Sequence, residues 1–150
     1  SIIRNRGRGL VMTHRAAMLY QEAKIAGHRG PCGPIALSIL TNQPYVEAVK
    51  LVEAKGDRQL GKGGTYATNM LSILHELGYS VSDVTEDARA NGAKTIQSTG
   101  WALRQGWSSE GKLLIQTRNH FAAVQDGIIH DWSAGRKMHI VRIYKITVSA

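Results

Sequence analysis

Apolar positions recur at helical spacing through the first half of the chain and alternate through the second half. Across residues 12–26, Met12, Ala16, Leu19, Tyr20 and Ala23 fall on one helical face, and Gly27 ends the run. His28-Arg29-Gly30-Pro31 breaks the pattern, and Cys32-Gly33-Pro34 opens an apolar run from Ile35 to Leu40. That run is short enough for a strand or a helix. Pro34 favours a helix, because a first-turn N–H has no intrahelical partner to lose. Pro44 opens a further helix with Tyr45, Ala48, Val49 and Val52 on one side, and Gly56 to Gly64 reads as a loop. Tyr66, Met70, Ile73, Leu74 and Leu77 predict another helix, capped by Thr65 before it and Gly78 after it. A weaker helix is expected from Thr95 to Gln105.

The period then changes. Leu113 to Gln116, His120 to Gln125, Ile128 to Trp132 and Met138 to Val148 read as strands. Asp126-Gly127 between two apolar runs marks a two-residue hairpin turn, since a type I′ turn needs positive φ at both positions. Helices followed by antiparallel strands predict an α+β fold. No repeat or low-complexity linker divides the chain, so the expectation is a single domain over residues 1–150.

Composition narrows the function classes. The chain has 150 residues, enough to bury a real core. Its one cysteine excludes an intrachain disulfide framework and the multi-cysteine zinc patterns. No apolar run approaches the roughly 20 residues of a membrane span. The opening Ser1-Ile2-Ile3-Arg4 lacks a signal-peptide pattern. The expected location is therefore cytoplasmic, or virion-associated, rather than secreted or membrane-bound. The net charge of +8 is concentrated at the ends. Arg4, Arg6, Arg8 and Arg15 precede the first acid, Glu22, while Arg136, Lys137, Arg142 and Lys145 follow the last, Asp131. Residues 1–10 read as a basic N-terminal arm. Such ends suit an anionic partner, nucleic acid or an acidic protein. A solvated surface with a mobile basic arm is the simpler reading, as the N-terminal segment carries no nucleic-acid-reading motif.

The chemistry-bearing residues follow from the hairpin. A turn at Asp126-Gly127 sets Val124 opposite Ile129, Ala122 opposite Asp131 and His120 opposite Ser133. Alternation then puts His120, Ala122, Asp131 and Ser133 on one face, with Phe121, Ala123, His130 and Trp132 on the other. Asp131 is the diagonal neighbour of His120, at roughly 7–8 Å between backbones, a gap that the two side chains can close. Cys32 sits at a helix start, where free N–H groups and the helix dipole favour an anion. Cys32, His120 and Asp131 thus read as nucleophile, base and orienting group. Taken singly, Cys32 and His120 have plainer readings as buried core residues.

Gly30-Pro31-Cys32-Gly33-Pro34-Ile35-Ala36-Leu37 resembles the nucleophile helix of papain-like cysteine peptidases, closest to the peptidase C39-like group. Asn119 to Asp131 resembles the His strand, turn and Asp strand of that group, and the element order matches. The chain also resembles proteins of bacteriophages and bacteria. The resemblance implies one papain-like domain and a thiol hydrolase that cleaves a peptide or isopeptide bond in a peptide or protein substrate. Cys32 would form the acyl-enzyme, His120 would act as base and Asp131 would hold the imidazole. No cofactor and no metal are implied, and the pattern assigns no oligomeric state. The chain departs from the family at Ala26, about six residues before the nucleophile, where such peptidases place a Gln as oxyanion donor. Gln21 lies too far up the preceding helix to substitute simply. His28 and Arg29 are the nearby polar candidates for oxyanion or substrate binding, with Gly33 beside the nucleophile. The alternative is a catalytically inactive papain-like module that binds an anionic partner through its basic ends.

Other signals carry less. Gly61-Lys62-Gly63-Gly64-Thr65 lacks Walker spacing and reads as a flexible loop, with a glycine-rich lid as the functional alternative. Trp101 and Trp107 read as core, and Trp132 either shields the His–Asp pair or packs on the opposite face.

Overall fold

The alternating second half of the chain forms a five-stranded antiparallel sheet with helices on both faces. The computed structural model describes residues 2–5, 10–56 and 65–149. The elements in chain order are β1 (Ile2–Asn5), β2 (Leu10–Thr13), α1 (His14–Ile25), α2 (Cys32–Thr41), α3 (Tyr45–Ala54) and α4 (Ala67–Glu76). They continue with β3 (Tyr79–Asp83), α5 (Thr85–Ala90), α6 (Ile96–Arg104), β4 (Lys112–Thr117), β5 (Phe121–Gln125), β6 (Ile128–His130) and β7 (Ile140–Val148). The main sheet runs β3-β7-β4-β5-β6, with every neighbouring pair antiparallel.

Strand alternation divides the core in two. Leu114, Phe121, Ala123 and Ile146 point to one side and pack with α1 to α4. Leu113, Ile115, Ala122, Val124 and Ile143 point to the other and pack with Ala88, Ile96, Ala102 and Leu103 of α5 and α6. Helix α2 is the centre of the first layer, with every side chain from Gly33 to Leu40 buried. A helix apolar all round must lie inside the fold. It packs on β5, so the helix that starts with Cys32 lies against the strand that follows His120.

The α+β expectation holds at that level, and several details differ. The expected basic arm is in part a strand: Ile2–Asn5 pairs antiparallel with Leu10–Thr13, with Ile2 opposite Thr13. Its β-branched Ile2-Ile3 suits an extended ribbon. The rest of that arm, residues 1 and 6–9, lies outside the described residues, as does the Gly61–Gly64 loop. Thr13 interrupts the first expected helix, because its hydroxyl accepts from Ala16 N–H and starts α1 there. Thr65 does not cap α4: the N-cap is Tyr66, whose side chain makes no capping bond. Strand β3 and helix α5 were not expected, since Tyr79–Asp83 buries no residue fully and α5 spans six residues. Helix α6 starts as the sequence suggests, with a Thr95/Ser98 capping box. Trp101 is not core but 50% exposed, while Trp107 is half-buried and donates its indole N–H to Asp87 Oδ2 at 2.9 Å. Among the described residues no helix is long and apolar enough to cross a membrane.

Candidate active site

Two tight turns place the site. Asp126-Gly127 turns with φ of 49° and 80°, and pairing continues through Val124 with Ile129 and Ala123 with His130. This is the expected register. The ladder ends there, so His120 and Asp131 lie just beyond its last pair. At the other end of β5, Thr117 N–H donates to the His120 carbonyl at 2.9 Å across Arg118-Asn119. That turn joins β4 to β5 and fixes the backbone of His120.

His120 and Asp131 meet directly. His120 Nε2 lies 2.6 Å from Asp131 Oδ2, and the two residues are 6% and 1% exposed. The carboxylate only accepts, so Nε2 carries the proton and Nδ1 is left for the thiol. Asp131 is held by more than the histidine. Tyr20 donates its hydroxyl to Oδ1 at 3.0 Å, Ser133 N–H donates to Oδ2 at 3.0 Å, and the Ser133 hydroxyl donates to the same oxygen. Burial alone would lower the His120 pKa, but the hydrogen bond and charge of Asp131, with a further contribution from Cys32, raise it from 6.5 to about 9. The ring is thus protonated at neutral pH. Tyr20 is half-buried; that burial and the neighbouring Asp131 and Cys32 raise its pKa, and it stays a neutral donor.

Cys32 is the first residue of α2, preceded by Pro31, which makes no side-chain cap bond. The Cys32 and Gly33 N–H groups belong to the first turn, where no intrahelical acceptor exists. Gly30 has φ 60°, a left-handed conformation that lets the chain turn into the helix. Gly33 is buried beneath Thr65. A Cβ at position 33 would meet Thr65 Oγ1 and come within 2.6 Å of Thr65 Cβ, so only glycine lets the two segments close. Cys32, Thr65, Gln116, Arg118 and His120 line one cleft of about 600 Å³. The far end of α2 is also held: the Arg15 guanidinium donates to the carbonyls of Ser38 and Ile39 and to Asn42 Oδ1.

The structure therefore brings Cys32, His120 and Asp131 together. It does not bring His28 or Arg29 into the cleft. His28 Nδ1 hydrogen-bonds the Tyr45 hydroxyl at 2.7 Å, and Arg29 is exposed. Ala26, at the position of the missing Gln, is the exposed C-cap of α1. Trp132 is not on the opposite face from His120. Their rings make an edge contact at 5.0 Å, and Arg136 lies over the indole at 5.2 Å. The reason is that both residues lie past the paired part of the hairpin, where alternation no longer governs direction. His130 does point elsewhere, bonding Thr13 Oγ1 at 2.8 Å.

Sequence reasoning missed Tyr20, Ser133 and Arg118. Tyr20 read as one more core position, although a buried phenol needs a partner for its hydroxyl. Ser133 was placed on the correct face but given no task. Among the described residues no group of three or more His, Cys, Asp or Glu side chains is arranged to share a metal ion. Compared with family models, with curated proteins and with solved structures, the chain matches none.

Proposed function

We propose that this chain is a papain-like thiol hydrolase acting on a peptide or isopeptide bond. The reading rests chiefly on one observation: a buried His120–Asp131 pair at 2.6 Å, in a cleft shared with a cysteine at a helix N-terminus. Protonated His120 beside the sulfur supports an ion-pair nucleophile. The Cys32 sulfur attacks the carbonyl carbon, and the C=O π electrons move onto oxygen. First-turn N–H groups of Cys32 and Gly33 face that charge. The C–N bond then breaks as His120 gives its proton to the departing amine, leaving a thioester on Cys32. Water, deprotonated by His120, attacks the thioester carbon; the C–S bond breaks and the carboxylate product leaves. Asp131 keeps the imidazole in the tautomer and orientation that both proton transfers use.

The test is alkylation and cleavage together. Iodoacetamide at about pH 6 is expected to modify Cys32 at least tenfold faster than a free thiol, an advantage lost in His120→Ala. Cleavage of a mixed peptide substrate is expected to stop in Cys32→Ala. Labelling at the free-thiol rate, indifferent to His120, overturns the reading. The second reading, an inactive module with an anionic partner, draws on exposed Ala26 at the Gln position and on exposed Arg136 and Lys137. It calls for salt-dependent binding to nucleic acid or an acidic protein that survives Cys32→Ala and weakens on reversing charge at Arg136 and Lys137.

A further inference from the structure

We propose that Arg118 selects substrates bearing a carboxylate next to the bond that Cys32 attacks. The inference rests on the thiol-hydrolase reading and adds a substrate class to it. Arg118 occupies the exposed turn between β4 and β5, two residues before His120, and lines the same cleft as Cys32. Among the described residues its guanidinium has no ion-pair or hydrogen-bond partner. Elsewhere on the surface Arg89 pairs with Glu86 and Arg142 with Asp83. The described lining of the cleft contains no carboxylate.

The other lining groups fit the same ligand. Gln116 and Asn119 bring amide groups to the cleft wall. A planar guanidinium offers a carboxylate two parallel N–H donors, a geometry that a neutral amide cannot match. The net charge of +8 draws anions toward the molecule, and Arg118 is the permanent cation among the described residues that line the cleft of Cys32. The carboxylate is either an Asp or Glu side chain or the free C-terminus of a peptide.

Two measurements on the full chain test this. In the first, a mixed peptide library is digested and the cut sites are read by mass spectrometry, for the parent chain, Arg118→Gln and Arg118→Glu. The expected result is enrichment of acidic groups at one position flanking the cut, lost in Arg118→Gln and replaced by Lys or Arg in Arg118→Glu. Enrichment at internal Asp or Glu assigns a side chain; enrichment beside free C-termini assigns the terminal carboxylate. A library cut without acidic enrichment, or with enrichment unchanged in Arg118→Glu, overturns the proposal and leaves the hydrolase reading standing. In the second, Cys32 is alkylated with iodoacetate and with iodoacetamide, which differ by a carboxylate. Their rate ratio is expected to fall about threefold or more in Arg118→Gln, the effect of one unit charge a few ångströms away at high effective dielectric, and further in Arg118→Glu. This ratio does not depend on turnover. If the library is left uncut, the hydrolase reading fails, and the ratio alone decides whether Arg118 captures carboxylates: a fall supports it and an unchanged ratio overturns it.

Discussion

Replacing Asp131 by Asn keeps the shape of the buried group and removes its charge. In the parent chain the imidazole of His120 is held near a pKa of 9 instead of 6.5. That difference ties about 3 kcal/mol of folding stability to the protonated ring. Between those two pH values the folded chain keeps a proton that the unfolded chain has released. Stability from this group is therefore complete below pH 6.5 and is lost as pH rises through 9. In Asp131→Asn the carboxylate no longer opposes burial, the largest influence on this ring, so the pKa falls and the slope reverses: stability rises with pH toward neutrality. The substitution also leaves buried donors of His120, Tyr20 and Ser133 to share a weaker acceptor, at a cost of about 3 kcal/mol near neutral pH. The assay is urea unfolding at about pH 6 and about pH 9.5 for the parent, Asp131→Asn and His120→Gln, the last subtracting every other titrating group. The parent is expected to lose about 2–3 kcal/mol more than His120→Gln across that interval. Parallel curves for the parent and His120→Gln, or a downward slope retained in Asp131→Asn, refute the reasoning.

Three further outcomes follow from the packing around the site. Gly33→Ala drives a methyl into Thr65 and is expected to cost about 1–3 kcal/mol by thermal or urea unfolding, with much of that recovered in the double variant Gly33→Ala/Thr65→Gly; an additive double variant counts against the close approach. Tyr20→Phe keeps the ring and deletes one donor to Asp131, for about 1 kcal/mol of stability; the carboxylate then turns more of its charge on the imidazolium, so a higher midpoint is expected in an NMR titration of His120, and an unmoved midpoint excludes the contact. Gly127→Ala places a side chain at φ 80° and close to the Ser109 carbonyl, so a loss of about 1 kcal/mol or more in unfolding measurements is expected, and a neutral result contradicts the turn geometry.

The helices of the first layer were legible because α1, α3 and α4 each carry an apolar face and α2 an unbroken apolar run, each bounded on at least one side by Pro or Gly. The β5–β6 hairpin was legible because Asp126-Gly127 admits few turn types, and the turn fixes the register that brings His120 near Asp131. What escaped was set by contacts distant in sequence. Strand β3 earns its place by pairing with β7, more than fifty residues later, and its own burial pattern announces nothing. Trp132 was misdirected because alternation was carried two residues past the last paired position. His28 and Arg29 were chosen for polarity and proximity in sequence, yet His28 is claimed by Tyr45 and Arg29 by solvent. The cleft wall draws on the β4–β5 turn and on Thr65, far from Cys32 in sequence, so no local pattern reveals it.

Helix α1 contains none of Cys32, His120 and Asp131, yet it grips their surroundings at two places. Its Arg15 fastens the tail of the helix that begins with Cys32, and its Tyr20 steadies the carboxylate behind the imidazole. A cut, fusion or docked protein that pulls this one segment away would slacken the mount of Cys32 and the support of the His120–Asp131 pair together, altering the cleft without touching it.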